Sequence, residues 1–131
     1  MEHFYSDLLG LPCLRRWPDA SGQGERSIWL DLAPGFLALE RCDGSVEVRP
    51  FRDARAGLHL IALTMDVARR EAWRAHLAAR GVAIVHETEF SLYVHDPEGN
   101  RVALSHWPTP RAGHDEPRGS GLAPGGARKD Q

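Results

Sequence analysis

The chain has 131 residues, with 16 Lys and Arg against 18 Asp and Glu, a formal net charge of −2 and 42% hydrophobic residues. That is enough polypeptide for one domain with its own core, and the balanced charge leaves no electrostatic argument for nucleic acid or an anionic membrane surface. Cys13 and Cys42 are too few for a disulfide framework, and no apolar run nears the roughly 20 residues that cross a bilayer, so a soluble cytoplasmic protein is expected.

Phe4, Tyr5, Leu8 and Leu9 form the apolar stripe of a short helix that Gly10 ends. A helix starting at Met1 has no cap for its first N–H groups. A strand over 11–16 follows, then a Pro/Ser/Gly loop, a strand over 27–32, a Pro34–Gly35 turn and a strand over 36–42. After Gly57, the apolar run 58–65 has strand length. Asp66 is placed to cap a helix reaching about Arg80, with Trp73 and Leu77 one turn apart on its buried face and Gly81 closing it. Residues 82–85, 90–95 and 101–106 supply three more strands. The last two flank Asp96-Pro97-Glu98-Gly99, where proline suits a φ near −65° and glycine a positive one. The segment 108–131 holds four prolines and five glycines, and is expected to be a disordered tail because it cannot bury enough apolar surface to offset its ordering entropy.

The opening Phe4-Tyr5-Ser6-Asp7-Leu8-Leu9-Gly10-Leu11 and the strand-turn-strand signature of 90–107 together resemble the vicinal-oxygen-chelate superfamily of glyoxalases, bleomycin-resistance proteins and extradiol dioxygenases. The resemblance covers roughly 1–107. It implies an α+β fold of paired βαβββ modules, whose sheets curl into a cup that holds a ligand. The second half carries the full order of strand, helix and three strands; the first half lacks the opening strand. The second half runs 23 residues from Leu58 to Gly81 (81 − 58), whereas nine precede Gly10, so roughly 14 residues have no counterpart. Either the start has been placed too late, the simpler explanation, or the protein is shortened and another chain covers its bare sheet edge.

Metal-using members of the superfamily, by this resemblance, present a His, Gln or Glu on the first strand and a Glu on the fourth. The fifth adds a His or carboxylate-type ligand and the eighth a Glu, an O/N set that suits a divalent ion with open positions. Carried over, the fourth-strand ligand falls on Glu40, the fifth on Leu60 and the eighth on Ala103; the first has no position in this chain. Leucine and alanine offer no lone pairs, so no family-type metal is expected, with a divalent metal as the alternative. His59 neighbours Leu60, but alternation sends it to the opposite face with Ile61 and Leu63, and only a bulge would bring it inward.

Alternation also sorts the cup's lining. Phe36, Ala38, Glu40 and Cys42 share the inward face of one strand, and Leu58, Leu60, Ala62 and Thr64 that of the next, with Ile61, Leu63 and Met65 against the helix. Ser91, Tyr93 and His95, then Arg101, Ala103 and Ser105, complete it. The ligand-binding candidates are Glu40, Leu60, Tyr93, Arg101, Ala103 and Phe36, a mixture suited to a small organic molecule with a few polar anchors. Glu40 is either an ion-pair partner of Arg101 across the cup or, buried without a cation, a base. Tyr93 is equally a packing aromatic. Cys13 and Cys42 read as buried small hydrophobes, and Trp17, Trp29, Trp73 and Trp107 as core or rim. Arg69, Arg70, Arg74 and Arg80 read as a solvated helix face, not a nucleic-acid stripe. There is no phosphate loop, nucleophile elbow or Cys-x-x-Cys. The expected function is a metal-free, homodimeric small-molecule binder. The alternatives are a glyoxalase-type lyase or isomerase, or a dioxygenase-related enzyme, using Glu40 as base or metal ligand, and a purely structural module.

Overall fold

A computed structural model describes residues 1–42, 44, 47 and 50–107, so the expected tail at 108–131 lies outside the described residues. Two sheets form. β1 (Cys13–Pro18), β2 (Glu25–Asp31) and β3 (Phe36–Glu40) make an antiparallel sheet in that order. β4 (Ile61–Thr64), β5 (His86–Glu87), β6 (Ser91–His95) and β7 (Arg101–Ser105) make a second, ordered β4-β7-β6-β5. β4 runs parallel to β7, and the other pairs are antiparallel. The helix α1 (Arg70–Ala79) links β4 to β5, giving the α+β order of one complete βαβββ module and one lacking its opening strand.

The helices end and begin as their sequences dictate. The segment His3–Leu8 is a single wide helical turn in which the Leu9 N–H reaches back five residues to the Phe4 carbonyl at 3.0 Å, and Gly10 leaves it at φ 79°. Asp66 accepts from the Ala68 N–H at 2.9 Å and opens a tight turn, Val67–Arg69, before α1 proper. At the far end Gly81, φ 70°, lets its own N–H donate to Ala78 O at 3.0 Å and the Val82 N–H to Leu77 O at 2.9 Å. That closure holds Val82 against the helix. The strand expected over 82–85 therefore does not form there, and the short β5 lies just beyond it, at His86–Glu87.

One core serves both modules. Trp73 and Leu77 of α1 and Tyr5 and Leu9 of the N-terminal turn are fully buried with Leu30, Leu92, Val94, Val102 and Leu104 from the sheets. The two helical segments meet where His76 Nε2 lies 2.9 Å from the Leu8 carbonyl oxygen. Leu63 and Met65 face this core, as alternation requires.

Two expectations need correction. Cys13 and Cys42 are exposed, because Cys13 opens the edge strand β1 and Cys42 lies two residues past the end of β3, the other edge. Arg70 and Arg74 are not a free solvated face: both bind the Glu87 carboxylate, Arg70 at 2.7 Å, and so pin α1 to β5. Of the tryptophans read as core or rim, Trp73 is in the core, while Trp17 and Trp29 stand half-buried on the sheet surface outside it.

Candidate ligand-binding surface

The two sheets repeat each other pair by pair. Trp29 opposes Ala38 and Ser27 opposes Glu40, as Tyr93 opposes Ala103 and Ser91 opposes Ser105. Arg15 opposes Trp29 as His86 opposes Tyr93, and the step from Arg15 to His86 (86 − 15) equals that from Gly10 to Gly81 (81 − 10). Ala38 is thus the counterpart of Ala103, and Glu40 that of Ser105. β4 alone has no counterpart among the described residues.

Leu60, Tyr93 and Ala103 come together on the concave face of the second sheet. They line an open cavity of about 460 Å³ with Ala62, Thr64, Ser91 and Ser105, rimmed by Phe90 and Trp107. Its polar anchors are spoken for in part: Ser91 Oγ donates to Ser105 Oγ at 2.8 Å, which also accepts from the Trp107 N–H at 3.2 Å. Arg101 leans over the Tyr93 ring at 4.4 Å and lies outside this cavity.

Glu40 and Phe36 belong to the other sheet. Glu40 is half exposed, its Oε2 3.3 Å from Arg26 Nε, a surface ion pair worth under about 1 kcal/mol. The expected Glu40–Arg101 pair does not form, because the two residues sit on separate sheets and Arg101 approaches Asp53 instead, at 3.9 Å. Ser27, opposite Glu40, is buried with no partner for its hydroxyl among the described residues, where its counterpart Ser91 has Ser105. Phe36 stacks on Trp29. The sequence reading passed over this stacking, and its signal was the alternation of Trp29 and Asp31 against Phe36 and Ala38.

A larger groove, about 720 Å³, follows the outer edge of β3 and is walled by Tyr5, Ile28, Leu37, Leu39, Glu40 and Ile61 among others. The Arg41 N–H donates to Arg26 O at 2.8 Å. Antiparallel alternation then turns the backbone N–H and C=O groups of Phe36, Ala38 and Glu40 away from β2 and toward the groove. Beside β7 the matching edge is occupied by β4.

The profile of the Glyoxalase/Bleomycin resistance protein/Dioxygenase superfamily matches residues 1–104. The chain belongs to that superfamily. Three solved structures share its fold. A glyoxalase family protein from Enterococcus faecalis is 22% identical with a TM-score of 0.59, covering 79% of this chain and 84% of that one. Lactoylglutathione lyase from Agrobacterium tumefaciens is 22% identical with a TM-score of 0.55, covering 79% and 81%. A mutant of the fosfomycin resistance protein FosX from Listeria monocytogenes, complexed with Mn(II) and a dihydroxypropylphosphonic acid, is 15% identical with a TM-score of 0.58, covering 79% and 78%. At these identities the likeness speaks for the fold. No curated protein matches the sequence.

The superfamily implies a divalent metal on the concave faces, and this member's residues there do not fit one. Leu60, Ala103 and the repeat-related Ala38 are hydrocarbon, and no three His, Cys, Asp or Glu side chains converge among the described residues. A divalent site of the superfamily's kind needs at least three protein donors.

Proposed function

We propose that this superfamily member binds a small organic molecule on the concave faces of its sheets without a bound divalent ion. The observation that supports it is the second sheet's cavity, whose floor is Leu60, Ala62 and Ala103, with Tyr93 and serine hydroxyls as the polar groups. Such a lining offers shape and apolar contact together with a few hydrogen bonds, and has no paired acid and base to drive turnover. Within one chain this cavity is lined only by residues between 60 and 107, so it stays open on one side. A homodimer, formed in the cytoplasm, supplies the opposite wall. Exposed Leu58 and Trp107 are the surfaces such an association covers.

Titration calorimetry of the purified protein with Mn, Fe, Ni and Zn salts tests the reading. Heats corresponding to no stoichiometric site tighter than micromolar are expected, and one equivalent bound below micromolar overturns it. Glu40→Gln separates binding from a mechanism that uses this carboxylate as its base. Because Glu40 is half exposed and paired with Arg26, affinity for any ligand of the second sheet's cavity should stay within about two-fold. A glyoxalase-type activity abolished by this change would install the enzymatic alternative.

A further inference from the structure

Three aromatic side chains cross the face of the first sheet that points away from the core, one from each strand. The ring centroids of Trp29 and Phe36 are 4.2 Å apart with planes 16° from parallel, and Trp17 lies 5.2 Å from Trp29 on its other side. The Arg15 guanidinium covers Trp17, 3.7 Å from the ring centroid. A bulge builds the stripe. Cys13 pairs with Leu30 on the core side, and the register shift before Arg15 moves Arg15 and Trp17 onto the face of Trp29. Regular alternation would have sent both toward the core.

These rings do not serve the core. Trp17 and Trp29 are only partly buried, and Phe36 remains 47% exposed although Trp29 covers one of its faces. The Trp17 indole N–H is shielded from solvent yet has no hydrogen-bond partner among the described residues. Arranged aromatic surface left open to water, with an unmet donor beside it, marks a recognition surface.

Resting on the small-molecule reading above, we propose that Trp17, Trp29 and Phe36 form a stacking platform for a planar conjugated ligand. The ligand's ring system extends the Trp29–Phe36 stack, so flatness and π-character, not apolar bulk alone, set the preference. The stacking term makes a planar ligand bind about five- to ten-fold more tightly than a saturated one of equal size.

The test uses the full chain and two probes of matched size, 2-naphthylmethanol and its decahydro counterpart. Calorimetry should show the planar probe binding more tightly, and the indole N–H resonances of Trp17 and Trp29 should move while that of Trp73 stays. Phe36→Leu, at an exposed position that keeps the fold, should weaken the planar probe about ten-fold and leave the saturated probe within two-fold. Trp29→Leu should act in the same direction. Equal affinity for the two probes overturns the platform, as does indifference to Phe36→Leu. If affinity falls instead with Tyr93→Leu, the platform fails while ligand binding on the second sheet stands. If neither probe binds, the platform fails and the small-molecule reading loses its support.

Discussion

Asp96→Ala should destabilise the protein by about 3 kcal/mol, a drop on the order of 10 °C in Tm for a domain of this size. The carboxylate is buried at the start of the Asp-Pro-Glu-Gly turn and serves four donors at once. Its Oδ2 accepts from the Tyr5 hydroxyl and from Asn100 Nδ2, both at 2.8 Å; its Oδ1 accepts from the backbone N–H of Glu98 at 3.0 Å and of Asn100 at 2.8 Å. Truncation strands those donors, and an unmet buried donor costs more than a made bond contributes. It also severs a side-chain hydrogen bond between the N-terminal helical turn and the β6–β7 turn. Burial, reinforced by the Asp96 hydrogen bond, pushes the Tyr5 phenol well above its ordinary range. The sign follows: the native state holds that proton longer than the unfolded chain does, so this stabilisation is complete below pH 10 and is lost as pH rises above it. Urea melts between pH 9 and 12 should show stability falling in the wild type and a flatter profile in Tyr5→Phe. Identical slopes would remove Tyr5 from the account.

The second large effect lies at Trp73. Its side chain is fully inaccessible, lies perpendicular to the His76 ring at a centroid distance of 5.5 Å, and belongs to the cluster that seats α1 against the second sheet. Trp73→Ala should cost about 3–5 kcal/mol, the transfer term plus the cavity left behind. Against a total stability of about 5–15 kcal/mol, that removes a large fraction of what holds the chain folded. Trp73→Phe retains much of the volume and should lose less than half as much. A urea midpoint for Trp73→Ala within experimental error of the wild type would show that this helix does not hold the sheet together.

The framework was legible because its signals are local. Asp66, the Trp73–Leu77 spacing and Gly81 state where α1 begins, which side it buries and where it stops; Asp96 to Gly99 states the β6–β7 turn. The superfamily membership rests on those same stretches and on the Phe4 to Leu11 opening. What stayed hidden depended on partners far along the chain. Nothing within α1 indicates that Arg70 and Arg74 share Glu87, 17 and 13 residues away. The Val82 closure that moves β5 on to His86 competes with strand propensity only through the geometry at Gly81. The aromatic stripe was missed because alternation counted from Cys13 places Arg15 and Trp17 on the wrong face, and a one-residue bulge reverses the count. Of the candidate ligand residues, Leu60, Tyr93 and Ala103 share one cavity, while Arg101 lies outside it and Glu40 and Phe36 belong to the other sheet. The assumption that a single chain brings Glu40 and Arg101 face to face was an expectation about two sheets at once, which single-strand periodicity does not supply.

The uncovered margin of β3 has a practical corollary for anyone producing this protein. Met1 and Glu2 border the same trench that the Phe36, Ala38 and Glu40 amides look into. Any affinity tag or cloning scar fused at the amino end emerges beside a row of backbone donors and acceptors, where an extended linker can zip on as an extra strand. Material tagged there and material tagged at the carboxyl end are different molecules along this margin, and their aggregation behaviour and apparent affinities should be compared before either is taken as the native form.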